Sequence, residues 1–375
     1  MKFKLLVTIV LLFTLSNFAL AQDFNFIGAG ARARGMGGAF IGVADDATAA
    51  SWNPAGLARL ERPEASVVGL FESYSISTDL PEADVDPYKS SHFTLNFISA
   101  AFPLSVGERN LVAALAYQQV IDLYDYYDTE DQFMERTGGV NAITPSVGIQ
   151  LTPSISVGAS VNIFTGTTNY KTEDRTGYFE NVDNEFNFTG SNFNIGGLVD
   201  LDKVRMGVVF KSPFDLTEEN TDGGFKSTIK MPQMLGLGLA FAATEKLTLA
   251  ADYEMRKYSE SEIVDDETGE SEETGWEDIN QVRVGAEYLY MSGNTILPLR
   301  LGFATTPTLF KDENDEQIVG ANLTAGLGLI MGNINLDLGV EFNVYTYEID
   351  TGVETYEYKD NYLRFIIAGV FHFGQ

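Results

Sequence analysis

The sequence predicts an all-β protein, a 14-stranded antiparallel transmembrane β-barrel with an N-terminal hatch, or plug, inside its lumen. Three observations predict this fold: a leader that exports the chain, apolar side chains that alternate with polar or small ones, and connections that are long and short in turn. Bacterial outer-membrane barrels combine tight periplasmic turns, long outer loops and strands with one apolar face.

The first 21 residues have the layout of a secretory signal peptide. Lys2 and Lys4 precede an apolar run, and Ala19-Leu20-Ala21 supplies a small-x-small cleavage pattern. The apolar run is shorter than the roughly 20 residues of a membrane-spanning helix. We therefore expect a signal peptide over 1–21, a hatch over 22–62 and a barrel over 63–375.

Apolar residues recur with a period of two from residue 64 onward. Leu235, Leu237, Leu239 and Phe241, for example, are separated by small residues. Successive side chains of a strand point to opposite faces, so each such segment has one apolar face. We predict fourteen strands, at 64–77, 91–103, 111–123, 142–151, 154–168, 191–200, 203–212, 226–243, 247–259, 280–291, 297–306, 322–331, 334–347 and 362–373.

The connections between these strands alternate in length along the whole chain. Soluble sandwiches and propellers also have alternating strands, but nothing in them requires every second connection to be long. An even strand number places both chain ends on the periplasmic side and the long, acidic loops outside the cell. Short connections lie at 105–110, 152–153, 201–202, 244–246, 292–294 and 332–333, and long ones at 78–90, 124–141, 169–190, 213–225, 260–279, 307–321 and 348–361.

Charge and composition exclude several classes of function. The net charge of −29 repels nucleic acid, whose binding depends on Lys and Arg at phosphates. The chain has no cysteine and only two histidines, His92 and His372, and no nucleophile-elbow motif. We expect no enzyme, no catalytic residue, no cofactor and no metal site. The acids of the 260–279 loop lack the ordered spacing of a calcium loop, although a divalent cation there remains an alternative.

Residues 28–57 differ from the rest of the chain because they are rich in Gly and Ala. They contain Gly30-Ala-Arg-Ala-Arg-Gly-Met-Gly-Gly, then Ala44-Asp-Asp-Ala and Trp52-Asn-Pro-Ala-Gly-Leu57. This run resembles the start of the FadL-type family of outer-membrane transporters for long-chain fatty acids and aromatic hydrocarbons, and Asn53-Pro54-Ala55 is similar to the signature of that family's hatch. A segment this small cannot form a core of its own, whereas a surrounding barrel would supply one.

The resemblance implies passive uptake of hydrophobic compounds, with ligand binding in the barrel, movement of the hatch and sideways exit through a gap beside a distorted strand. The implied gating residues are Asn53, Pro54, Ala55, Gly35, Gly37 and Gly38. Asn53-Pro54 is a turn with a restricted dihedral angle, suited to a pivot or to a static loop. The predicted third strand, from Leu111 to Ile121, contains no Gly or Pro, so the sequence does not locate the distorted strand.

Several lumen-facing positions are charged. Opposite charges on neighbouring strands can pair and hold the wall, whereas Arg256 or Arg283 could bind the carboxylate head group of a ligand. We expect hydrophobic small molecules, outer-membrane lipid and the barrel assembly machinery as partners, since a terminal strand with a closing aromatic such as Phe373 is what that machinery receives. A FadL-like barrel acting as a shuttle or scaffold subunit of a protein secretion system is the main alternative, and a barrel lipase is a third.

Overall fold

The computed structural model describes residues 26–78, 87–107, 109–178, 180–221, 223–293, 295–350 and 355–374. The predicted signal peptide and the first residues of the predicted hatch lie outside these ranges. No helix in the described ranges is long and apolar enough to span a membrane.

The described strands form one antiparallel sheet that closes on itself. Its first strand pairs with its last, from Glu64 opposite His372 to Thr78 opposite Tyr358. The nineteen strand segments form fourteen strands of the barrel wall, which we call staves. Five of the staves consist of two consecutive segments each. The segments are β1 Glu64–Thr78, β2 Tyr88–Val106, β3 Arg109–Asp122, β4 Asp125–Asp128, β5 Gln132–Thr152, β6 Ile155–Asp174, β7 Val182–Leu201, β8 Val204–Lys211, β9 Phe214–Asn220, β10 Lys226–Met231, β11 Met234–Thr244, β12 Leu247–Arg256, β13 Glu262–Asp265, β14 Ser271–Glu273, β15 Ile279–Ser292, β16 Thr295–Lys311, β17 Gln317–Met331, β18 Ile334–Asp350 and β19 Thr355–His372.

The alternation predicted from the sequence sets the two faces of this sheet. In β11, Leu235 and Leu237 are 40% and 50% exposed on the outside, whereas Ala240 on the inside is buried. The same pattern recurs in the other staves, so an apolar surface surrounds the barrel. Such a surface suits lipid rather than water, and the pairing of the first strand with the last closes the sheet into a barrel. The predicted transmembrane β-barrel is confirmed.

The long connections are shorter than predicted because the strands continue into them. β5 begins at Gln132 within the predicted 124–141 loop, and β6 and β7 extend to Asp174 and from Val182 within the predicted 169–190 loop. The 21 residues of β5 span about 50 Å at a 45° tilt, well beyond an apolar band of about 25 Å. Polar hairpins therefore rise above the membrane. The period-two signal is weak there because neither face needs to be apolar.

Residues 26–62, the N-terminal segment, lie inside the barrel. They contain α1 (Ala31–Gly35), α2 (Ala49–Trp52) and a 3-10 helix (Pro54–Arg59). α1 packs against β16 to β19, and the 3-10 helix packs against β3, β5, β6 and β7 on the other side of the lumen. Met36, Phe40 and Leu57 are fully buried. The barrel wall thus supplies the core that this segment lacks. A further 3-10 helix covers Tyr258–Glu260.

Candidate functional site inside the barrel

Buried ion pairs fasten the N-terminal segment to the wall. Arg34 donates from Nε and Nη2 to the two carboxylate oxygens of Glu341 on β18, both at 2.5 Å. Arg364 of β19 lies 4.0 Å from the same carboxylate and also pairs with Glu72 of β1. This chain of four charges crosses the junction where the last strand meets the first. It is stabilised because each buried charge has an opposite partner.

A second ionic cluster holds the middle of the N-terminal segment. Arg32 donates to Asp45 at 2.5 Å and to Glu287 of β15 at 2.9 and 3.0 Å. Glu287 also accepts from Arg300 at 2.7 Å, and Arg300 donates to Asp337 at 2.5 Å. The prediction that lumen charges on neighbouring strands pair is therefore met, with the addition that the N-terminal segment joins them.

The three glycines predicted to take part in gating lie where this segment meets the wall. A Cβ atom on Gly35 would lie 3.0 Å from the Cα atom of Gly326, and one on Gly37 would lie 2.8 Å from the backbone nitrogen of Phe303. Gly37 and Gly38 also have φ angles of +68° and +74°, which favour glycine. They permit close backbone contact after α1. Their part in gating stays a prediction.

Asn53 begins the 3-10 helix and links it to both the segment and the wall. Its Oδ1 accepts from the backbone N–H of Ala55 at 3.1 Å, and its Nδ2 donates to the carbonyls of Ile41 and Gly197 at 3.0 and 3.2 Å. Asn53 is completely buried. Pro54 follows at the first helical position, where a missing N–H costs no hydrogen bond. Asn53 therefore connects the segment to β7 at this turn.

Arg256 and Arg283, the two candidate head-group contacts, share one carboxylate. Glu254 lies 2.6 Å from Nη2 of Arg256 and 2.9 Å from Nη1 of Arg283. Arg256 also donates to the carbonyl of Phe26 at 2.7 Å, and the Arg283 guanidinium lies 5.8 Å from the ring of Trp52. The barrel thus brings both arginines together, and each contacts the N-terminal segment.

A large apolar cluster fills the lumen toward the long connections. We call it the apolar chamber. Phe26 enters it at the start of the described chain, with ring centroids 6.1 Å from Phe164 and 6.2 Å from Phe214. Those two wall residues stack at 4.7 Å. The chamber consists of Ile121, Leu123, Val140, Ala142, Phe164, Phe188, Leu216, Ile229, Met231, Tyr258, Ile279 and Leu309, with Phe26, Val120, Phe186, Phe214, Trp276 and Phe310 packed against them.

The wall has an unzipped stretch between its second and third staves. The ladder between β2 and β3 stops at Phe97 opposite Gln118, so residues 88–96 of β2 have no strand pairing with β3 or β4 in the described chain. Side chains bridge this stretch, which we call the seam. Asn96 Nδ2 donates to the Gln119 carbonyl at 3.3 Å, His92 Nε2 lies 2.6 Å from Asp122 Oδ2, and the Tyr88 hydroxyl donates to Asp125 and to the Tyr126 carbonyl.

The glycines that distort the third stave lie on its neighbour. β3 pairs irregularly with β5 between Gln119 and Ile121, and it ends at Asp122 before β4 resumes at Asp125. A Cβ atom on Gly139 of β5 would lie 2.2 Å from the Ile121 carbonyl, and one on Gly138 would lie 2.0 Å from that of Thr167. The third stave is therefore distorted although its own sequence contains no Gly or Pro. The sequence analysis did not locate this distortion because the glycine that marks it, Gly139, lies on the adjacent strand β5.

A small pocket of about 40 Å³ opens beside the seam on the lumen side. It is lined mainly by polar and ionisable side chains, among them Ser90, His92, Asp122 and Asp125. The ring of Tyr124 stacks on His92 at 4.3 Å. The Ser90 hydroxyl is buried, and in the described ranges His92 bonds Asp122 and not Ser90, so Ser90 and His92 do not form the nucleophile–base pair of a lipase.

Potential metal ligands do not converge in the described part of the chain. No group of three His, Cys, Asp or Glu side chains there could hold a metal ion. The acids of the predicted 260–279 loop lie largely on the exposed hairpin β13–β14, where Ser271–Glu273 is exposed throughout.

Known barrels share this arrangement of staves. A FadL homologue of Pseudomonas aeruginosa is 13% identical to this chain, with a TM-score of 0.67 over 92% of this chain and 99% of that one. The Ralstonia pickettii toluene transporter TbuX is 18% identical, with a TM-score of 0.60 over 94% and 100%. The P. putida toluene transporter TodX is 15% identical, with a TM-score of 0.65 over 94% and 100%. At these identities the likeness establishes the fold.

The sequence itself also matches a known family. No curated protein matches the chain. A family model described as BamG matches residues 4–221, which is more than half of the sequence and covers the N-terminal segment together with the first staves of the barrel. The 14-stranded fold of the FadL type agrees with an outer-membrane barrel family. The chain therefore belongs to the BamG family.

Proposed function

We propose that this barrel passes hydrophobic compounds across the outer membrane. The observation that carries the proposal is the apolar chamber, a buried, aromatic-rich cluster inside the lumen that is filled in part by Phe26 of the N-terminal segment. A water-filled pore would not need such a lining. The similarity of the fold to TbuX and TodX, which are toluene transporters, supports the same class of function.

The chamber offers a driving force for apolar ligands. Burial contributes about 0.8 kcal/mol per methylene, so a tail of several carbons that displaces Phe26 gains several kcal/mol. Arg256 lies at the point of exchange, because its Nη2 donates to the Phe26 carbonyl. A ligand carboxylate would replace that carbonyl with a stronger, charge-assisted hydrogen bond. Arg283 shares Glu254 with Arg256 and would therefore help to hold Arg256 in position at this head-group site.

Passage then requires the N-terminal segment to move, since it occupies the lumen between the chamber and the short turns. The pivot that we propose is Asn53-Pro54-Ala55, and the exit is the seam, where side chains rather than backbone ladders close the wall. A lateral exit spares the apolar tail a passage through water. In this arrangement the chain ends and short turns face the periplasm and the acidic hairpins face outward.

A crosslink between the N-terminal segment and the wall tests this proposal. A Cβ atom on Gly339 would lie 3.0 Å from the carbonyl oxygen and 3.6 Å from the Cα atom of Ala31, so the two backbones approach closely enough for an engineered disulfide in a chain that has no cysteine of its own. The variant Ala31→Cys/Gly339→Cys is reconstituted in liposomes, and entry of an apolar fluorescent probe is measured. We expect entry through the reduced protein and little through the oxidised one. Equal entry through both, or no entry above empty liposomes in either, would contradict the proposal.

A second candidate is a non-transporting subunit of a larger outer-membrane assembly. The buried charge chain Arg34–Glu341–Arg364–Glu72 favours it, because a segment fixed so firmly can serve simply to close the lumen. The oxidised crosslinked variant separates the two candidates. A closed subunit would keep its cellular role when crosslinked, whereas a channel would lose it.

A further inference from the structure

The seam pocket, the 40 Å³ pocket beside the seam, has the size of a small head group. A buried water needs about 10–15 Å³ by the same measure, so the pocket holds one ammonium-sized group and a water or two, but not an apolar tail. Leu123, a chamber residue, directly precedes Tyr124, a pocket residue. The seam pocket therefore adjoins the apolar chamber at the break between β3 and β4.

Carboxylates outnumber cations around this pocket. Glu72 on β1, Asp122 on β3 and Asp125 on β4 line it, against Arg136 on β5 and His92 on β2. Arg364 on β19 lies beside the pocket, where it pairs with Glu72. Asp360 on β19 lies behind the pocket, 2% exposed, and accepts from the hydroxyls of Tyr74 and Tyr347. Four carboxylates therefore face three possible cations, so carboxylates remain in excess even when His92 is protonated.

Among the carboxylates that line the pocket, Asp125 is the one whose charge is least compensated by a neighbouring cation. It accepts from the Tyr88 hydroxyl, and in the described ranges no cation lies within ion-pair distance of it, whereas Glu72 has Arg364 and Asp122 has His92. Arg136, which lies opposite Asp125 in the β4–β5 pairing, directs its Nε to the Leu123 carbonyl at 2.7 Å instead. Arg136 still acts on Asp125 through space, but a partly desolvated carboxylate without an ion-pair contact favours a positively charged ligand.

The remaining lining also suits a cation with N–H donors. Tyr74 and Tyr362 stack at 4.3 Å, and with Tyr124 they offer aromatic rings to the pocket. Aromatic faces attract ammonium groups through the ring quadrupole. The Ser90 hydroxyl, 8% exposed, interacts with the Tyr88 hydroxyl and can accept a further hydrogen bond at the same place.

We propose that the seam pocket binds the ammonium head group of an amine-bearing amphiphile, whose tail occupies the apolar chamber. The placement of the tail rests on the proposed function; the binding of the head group rests on the pocket alone. This site is separate from Arg256, which suits an anionic head group.

The test compares three ligands with the same tail. Octylamine, octanol and octanoate are titrated calorimetrically into the full chain in lipid nanodiscs, and binding to empty nanodiscs is subtracted. We expect octylamine to bind about tenfold more tightly than octanol, the size of effect that one hydrogen bond to a charged group supports. Asp125→Asn should remove this preference and leave octanoate binding unchanged. Asp128→Asn is the matched control, because Asp128 ends the same strand, is exposed and pairs with Arg175.

Either of two results would overturn the inference: octylamine binding no more tightly than octanol, or Asp125→Asn behaving like Asp128→Asn. Asp122→Asn, a second pocket variant, should also weaken the binding of octylamine. With two variants, a folding defect in one of them does not determine the outcome of the test. The proposed function fails separately. If the amine binds but the liposome assay detects no probe entry, the ammonium site is supported and the proposed transport is contradicted. If the probe enters but the protein shows no preference for the amine, the transport is supported and the ammonium site is contradicted.

Discussion

Arg34 of the N-terminal segment and Glu341 of β18 form a two-point ion pair inside the barrel, with 11% and 3% of their side chains exposed. Glu341 lies between Arg34 and Arg364, and Arg364 reaches Glu72 on the first strand. The segment is thus joined to the junction of β19 and β1, where the barrel closes. The charges that hold the segment in place therefore also span the closing pair of strands, which is itself held by a continuous backbone ladder.

Replacing Arg34 should loosen the segment without unfolding the barrel. Removing one partner of a buried pair costs about 3–5 kcal/mol, and Arg34→Met leaves Glu341 with only the more distant Arg364. The strand ladders are untouched, so we expect a folded barrel with raised ion conductance in planar bilayers. Arg59→Met, at a half-exposed pair with Asp200, is the control and should conduct like the parent. Equal conductance of all three proteins would show that Arg34 does not hold the lumen closed.

Truncating Phe26 should open the apolar chamber to ligands. Its ring contacts Phe164 and Phe214 and lies 5.8 Å from the Arg256 guanidinium, and Phe26→Ala removes these ring contacts while keeping the hydrogen bond from Arg256 to the backbone carbonyl. We expect severalfold tighter binding of an apolar fluorescent probe, because the ligand no longer has to displace the ring. Phe102→Ala removes a lipid-facing ring that is 55% exposed and should leave probe binding unchanged. Weaker binding to Phe26→Ala than to the parent would mean that Phe26 forms part of the ligand site.

Asn53 should matter more than Pro54 for stability. Asn53→Ala removes three hydrogen bonds at a completely buried site, and a buried group left without a partner costs about 1–3 kcal/mol. Pro54→Ala removes no donor, so we expect a smaller effect on the denaturant midpoint. If Asn53-Pro54-Ala55 is the pivot, both variants should also change the rate of probe entry. Unchanged entry in both would leave Asn53 a purely structural residue.

Gly139 should be intolerant of any side chain. In Gly139→Ala the new Cβ atom would lie 2.2 Å from the Ile121 carbonyl across the distorted third stave. Overpacking of this kind costs about 1–3 kcal/mol, and the stave must shift to relieve it. We expect a lower denaturant midpoint and altered probe entry. Gly177→Ala is a suitable control, because Gly177 has a φ of +78° but open space around its Cβ position. A midpoint for Gly139→Ala no lower than that of Gly177→Ala would contradict the contact.

The sequence determined the barrel because the period of two is a local property. Residues such as Leu235 and Leu237 mark the lipid-facing side whatever their neighbours are, and the alternation of connection length fixed the order of turns and loops. The ends of the staves were not determined in this way. Above the membrane neither face must be apolar, so the extension of β5 to Gln132 left no hydrophobic signal.

The candidate site depended on tertiary structure. The sequence indicated Asn53, Arg256 and Arg283 as candidates. Only the folded structure shows that the two arginines share Glu254 and that Nη2 of Arg256 lies 2.7 Å from the carbonyl oxygen of Phe26. The distorted part of the third stave likewise lies against Gly139 on the next strand, where the Ile121 carbonyl leaves no room for a Cβ atom. Faces of a strand follow from neighbours in sequence, whereas ion pairs and gaps in a wall follow from which strands lie side by side. The folded barrel alone decided those.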